Sequence, residues 1–112
     1  MPYPRDENGD ALRRMEAAGD DLTRSRDVEF TVVFPSKKSA EEFAKSISTQ
    51  GYEAEVEFSE TVEGLPWDVI VVKHMAPSYA EIGNFEALLQ SVADRFGGRN
   101  DGWGSFSEPK TQ

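Results

Sequence analysis

From Asp27 to Phe34 the chain alternates: Val28, Phe30, Val32 and Phe34 fall on one side, Glu29, Thr31 and Val33 on the other. A period of two predicts a half-buried strand. Pro35 ends it, and Ser36 suits a helix N-cap. Ala40, Phe43, Ala44 and Ile47 then repeat at i, i+3, i+4 and i+7, which predicts a helix burying one face, with Gly51 where a left-handed C-cap residue belongs. Tyr52 to Phe58 alternates strictly, its apolar positions set against Glu53, Glu55 and Glu57. After a turn at 59–66, Trp67 to Met75 is apolar on both faces through Val69, Ile70, Val71 and Val72, as expected of a central strand. Ser78-x-x-Glu81 forms a capping-box pattern before a helical stripe of Ile82, Phe85, Leu88, Leu89, Val92 and Phe96, which Gly97-Gly98 stops. Arg99 to Phe106 holds turn formers and two large aromatics, and reads as a turn plus a short edge strand.

Ahead of the first strand, Asn8 or Asp10 can cap a helix whose Leu12 and Met15 share a thin apolar face, with Gly19 as its stop. Such a helix is marginal alone and needs something to pack on. The order αβαββαβ predicts an α+β, ferredoxin-like two-layer sandwich: a four-stranded antiparallel sheet with helices on one face, plus an extra N-terminal helix. Residues 1–7 are expected to be a flexible arm, 8–106 one domain, and 107–112 a frayed tail. Alternation places Phe30, Val32, Val56, Phe58, Val69 and Val71 towards the helices. Glu29, Thr31, Val33, Glu53, Glu55, Glu57, Asp68, Ile70, Val72 and His74 then look outward.

Charge narrows the partners. Twelve basic residues against 21 acidic ones give a formal net charge of -9, and the only basic groupings are Arg13-Arg14, Arg24 with Arg26, and Lys37-Lys38. Nucleic-acid binding draws on clustered Lys and Arg, so direct binding of DNA or RNA is not expected. An acidic surplus serves solubility or attracts a basic protein segment. With no cysteine, disulfides and thiolate chemistry are excluded. No apolar run reaches the roughly 18 residues of a membrane span, and the N-terminal stretch is polar, so a cytoplasmic protein is expected.

Chemistry has few places to reside. His74 is the only histidine. Asp68, six residues along the same strand, is roughly 20 Å from it at about 3.3 Å per residue and cannot orient its ring. Glu53, Glu55 and Glu57 could hold a metal or a proton, but a solvated strand face has the same spacing, and no calcium-loop motif is present. The glycines at 97, 98, 102 and 104 follow a helix instead of preceding one and make no phosphate loop. Neither catalytic residues nor a cofactor or metal site is assigned. Trp103, between Gly102 and Gly104, either plugs the sheet edge and packs on the last helix or is an aromatic anchor on the open face. In the second case Val33, Ile70 and Val72 supply an apolar floor and Glu53 and Glu55 an acidic rim, with Asp101 and His74 alongside.

NGDALRRMEAAGDDL at 8–22, RDVEFTVVFPS at 26–36, WDVIVVKHMAPS at 67–78 and GGRNDGWGSF at 97–106 together resemble the regulator of ribonuclease activity B (RraB) family, also called ribonuclease E inhibitor proteins. The resemblance implies a ferredoxin-like sandwich with an added N-terminal helix and a non-catalytic regulator of RNA decay that binds ribonuclease E. Those relatives also carry a strongly acidic C-terminal tail, whereas this sequence ends in SEPKTQ. The leading expectation is therefore a regulator, not an enzyme, whose open sheet face binds a protein partner, either ribonuclease E or another protein with a basic segment. Two alternatives stand beside it: a small-ligand or metal-binding enzyme using His74 with sheet carboxylates, and a self-associating homo-oligomeric module.

Overall fold

A computed structural model describes residues 6–105; the expected tail at 107–112 and residues 1–5 of the expected arm lie outside them. The chain forms α1 (Glu7–Ala17), β1 (Arg26–Phe34), α2 (Lys37–Ser48), β2 (Glu53–Phe58), β3 (Trp67–Met75), α3 (Tyr79–Ala93), a short 3-10 turn (Asp94–Phe96) and β4 (Arg99–Ser105). The strands make one sheet in the order β2-β3-β1-β4, antiparallel at every pairing.

Side-chain polarity fixes the register. Phe30 opposes Val71 and Val32 opposes Val69, while Val69 and Val71 in turn oppose Val56 and Ala54 of β2. This apolar patch meets Ala40, Phe43 and Ile47 of α2 and Ile82, Phe85 and Leu89 of α3 in one core. The rings pack closely: Phe30 meets Phe85 edge-on at 4.8 Å, and Phe34 meets Phe43 at 4.8 Å. A one-residue slip would exchange these side chains for the glutamates of the other face, so burial itself specifies the pairing.

The helices start where their caps allow. The Ser36 hydroxyl accepts from the Ser39 N–H, and the Ser78 hydroxyl from the Glu81 N–H, which is the Ser78 half of the predicted capping box. In α1 the cap is Asp6, whose carboxylate accepts from the Gly9 N–H at 2.8 Å. Asp6 and Glu7 thus belong to the helix and its cap, ahead of the predicted start at Asn8. After α3 the chain turns beneath the Phe34 ring, and a Cβ on Gly98 would lie only 2.2 Å from it. A side chain larger than hydrogen is excluded there.

A buried ion pair joins α1 to the sheet. Arg26, the first residue of β1, places Nη1 2.8 Å from both carboxylate oxygens of Asp20, and both residues are buried. Arg26 also donates to the carbonyls of Asp21 and Arg24, so one guanidinium organises the whole loop. Removing one member of such a pair leaves a buried charge uncompensated. Asp20→Ala should therefore lower unfolding free energy by about 3–5 kcal/mol, measured from urea midpoints. Adding Arg26→Met should recover only part of the loss, because the loop carbonyls then lose their donor.

Candidate partner-binding surface

The face of the sheet opposite α2 and α3 is ordered in cross-strand rows. Glu53, Val72, Glu29 and Gly104 make one row, and Glu55, Ile70 and Thr31 the next. Glu57, Asp68, Val33 and Arg99 follow, and His74 faces Asp27 at the other end. Ile70 and Val72 on β3 therefore form an apolar stripe with carboxylates to either side. Glu29, Glu53, Glu55, Glu57, Ile70 and Val72 line a shallow trough of about 480 Å³. No salt bridge among the described residues engages these four glutamates. Of the four only Glu57 directly opposes another acid, Asp68, and like charges opposed across strands repel, so that pairing is tolerated at some cost to folding.

The expected surface residues separate into groups. Glu53, Glu55, Ile70, Val72 and His74 share this face. Val33 also points this way but is fully buried, and so it is not the exposed floor that alternation suggested. Asp101 lies close enough to Asp68 to raise its pKa.

Trp103 requires a correction: it is not an anchor on the open face. It pairs with Phe30, whose side chain points into the core, and packs against that core half-buried. The reason is a bulge. Phe30 opposes Trp103 and Val32 opposes Asn100, so Asp101 and Gly102 together face the single residue Thr31. Gly102 takes the positive φ of 100° that this requires. The extra residue puts Asn100 and Trp103 on the same, helix-facing side. There Asn100 donates to the Glu86 carbonyl of α3 at 2.8 Å, and its own N–H donates to the Gln90 side chain at 2.9 Å.

Trp103 instead holds α1. Its indole N–H donates to Asn8 Oδ1 at 2.8 Å, while Asn8 Nδ2 donates to Glu86 at 2.7 Å. Tyr79 on α3 donates to the Asp6 carboxylate, which holds that acid below its ordinary pKa and pushes the phenol upward. With Leu12 the only fully buried apolar side chain of α1, polar contacts carry much of its docking. Two grooves flank the indole between α1 and β4, of about 640 and 370 Å³.

Two relations were invisible in the sequence. His74 Nδ1 lies 3.0 Å from Asp27 Oδ1, a cross-strand pair 47 residues apart with both side chains well exposed. Asp68, by contrast, is only 8% exposed, and its Oδ1 has no hydrogen-bond partner. Burial, followed by the nearby charges of Asp101 and Glu57, raises its pKa. The available signal was an acid directly before the Val-Ile-Val-Val run of β3. Among the described residues no group of three or more His, Cys, Asp or Glu is placed to hold a metal, and no helix is long and apolar enough to cross a membrane.

Asn8→Ala should cost about 1–2 kcal/mol, because the Trp103 donor and the Glu86 acceptor both lose their partner. Hydrogen exchange should quicken in α1 and stay unchanged in β1. A second expectation concerns pH. Native Asp68 holds its proton more tightly than the unfolded carboxyl, whose pKa is near 3.8, so its contribution favours folding at low pH and is lost as pH rises through the raised native value. The groups around it are Glu57 on β2 and Asp101 and Arg99 on β4. Asp68→Asn should reduce that fall in stability, read as urea midpoints at a series of pH values from 4 to 7.

No curated protein matches the chain. The family model for regulator of ribonuclease activity B matches residues 5–105, nearly the whole sequence and every element of the fold. The chain therefore belongs to the regulator of ribonuclease activity B family.

Proposed function

We propose that the protein is a non-catalytic regulator that binds a ribonuclease in the cytoplasm, ribonuclease E in the first instance, and thereby restrains RNA decay. One observation carries the reading: an apolar stripe, Ile70 and Val72, lies among carboxylates that form no salt bridge among the described residues. A segment with apolar residues at its centre and basic residues at its margins complements that surface in shape and charge. Apolar area gives the contact its strength, and opposed charge speeds encounter and fixes orientation. The same acidity disfavours direct contact with RNA, so regulation acts through the protein partner. The strand order, with β3 between β1 and β2, supports a ferredoxin-like description of the sandwich, whose helix-free face is available for docking.

The test is calorimetric titration of the host's ribonuclease E at several salt concentrations. Affinity should fall as salt rises. The double substitution Glu53→Lys with Glu55→Lys should weaken binding about tenfold or more, since it turns attraction into repulsion on one edge of the stripe. Binding that is absent, or that ignores both salt and this charge reversal, would refute the proposal.

A further inference from the structure

Asp68 is the one acid on the docking face that the fold withdraws from water without giving it a partner. The residue is only 8% exposed, and its buried Oδ1 accepts no hydrogen bond. Glu57 is its neighbour in the cross-strand row, and Asp101, at the bulge of β4 two strands away, acts on it only through its charge. Both are exposed acids and both act on it electrostatically. The nearest cationic side chain in the same row is Arg99, two strands away beyond Val33, and it makes no salt bridge with Asp68.

A buried acceptor left unmade is costly, and native folds retain few of them. Asp20 shows how this chain treats a buried acid that serves the fold, by placing an arginine directly on it. Asp68 has the burial and the flanking negative charge but lacks the arginine. Its cluster is also the wrong shape for a metal, since no metal-ligand group occurs among the described residues.

We infer that Asp68, flanked by Glu57 and Asp101, is the receptor for one arginine side chain of the basic partner segment. Arginine fits better than lysine. Its guanidinium is more weakly hydrated than an ammonium, so it loses less on entering a partly dry site, and its fork of donors can serve Asp68 while reaching an exposed neighbour. The inference rests on the docking face proposed above and names the contact that orients the segment on it. The guanidinium sits at the Glu57 end of the trough, and the segment's apolar residues lie along Ile70 and Val72.

The experiment uses a synthetic twelve-residue peptide alternating leucine and arginine, a second with lysine for arginine, and the whole protein. Wild type should bind the arginine peptide more tightly than the lysine peptide. Asp68→Asn should bind the arginine peptide about tenfold more weakly, lose that preference, and yet raise the melting temperature of the free protein by about 3 °C or more. A structural acid would move stability the other way. The double variant Glu57→Gln with Asp101→Asn alters only exposed side chains and should also weaken the arginine peptide. Equal affinity of Asp68→Asn and wild type, no preference for arginine, or a lowered melting temperature in Asp68→Asn would each overturn the receptor. Salt-sensitive binding of ribonuclease E that Asp68→Asn leaves unchanged would overturn the receptor alone. Selective, Asp68-dependent peptide binding without any ribonuclease E binding would overturn the named partner and keep the receptor.

Discussion

Between Asn100 and Trp103 strand β4 has two residues where β1 has one, and the distribution of chemistry over the molecule follows from that bulge. Without it, strict alternation would send Asn100 and Trp103 to opposite faces. With it, both turn towards α3 and α1, and Asp101 is left within electrostatic range of Asp68 across β1. The helix-facing side of β4 thereby becomes an attachment point. Gln90 of α3 bonds to the backbone on either side of Arg99, through the Gly98 carbonyl and the Asn100 N–H. Trp103 and Glu86 then share Asn8, so α1 is bound to strand and helix at once.

The two faces of the sheet follow opposite rules. On the helix side most large apolar groups pack into one core, and the buried Arg26 has its buried counterion Asp20 and two carbonyls. On the other side carboxylates adjoin carboxylates, and Asp68 is buried with one oxygen unpaired. Such local conflicts reduce stability, and proteins tend to retain them where a partner resolves them. The central strands are long and well packed enough to tolerate the conflict: β1 and β3 pair over nine residues in unbroken register.

Much of the fold was legible from short-range pattern. Alternation in β1, β2 and β3 assigned the faces from a period of two, although Phe58, expected towards the helices, lies 58% exposed at the end of β2 against Trp67. Ser36 and Ser78 marked helix starts because their hydroxyls are the nearest acceptors for free N–H groups. The site was legible only in part. Glu53, Glu55, Ile70, Val72 and His74 could be assigned to one face from parity alone. Trp103 could not, since a bulge reverses parity and sequence spacing does not reveal one. The pairing of Asp27 with His74 needed the β1–β3 register, and the burial of Val33 and Asp68 needed the full packing of the row they share. Asn8 gave no signal at all, because a polar residue near a helix start resembles any cap.

Part of the acidic surplus has a location. Carboxylates spread evenly over a surface would promote solubility and nothing more. Here Glu29, Glu53, Glu55 and Glu57 gather around two aliphatic side chains on the face free of α2 and α3, while two acids of α1 and its cap are committed elsewhere: Asp6 to Tyr79 and the helix cap, Asp10 to Arg13. A basic segment entering the trough therefore meets its strongest attraction beside its largest apolar contact, and salt weakens the first without touching the second. An interface of that kind loses encounter rate and orientation at high ionic strength before it loses its apolar contact. In the docking proposed above, specificity would rest on the least exposed charge, and on this face that charge is Asp68.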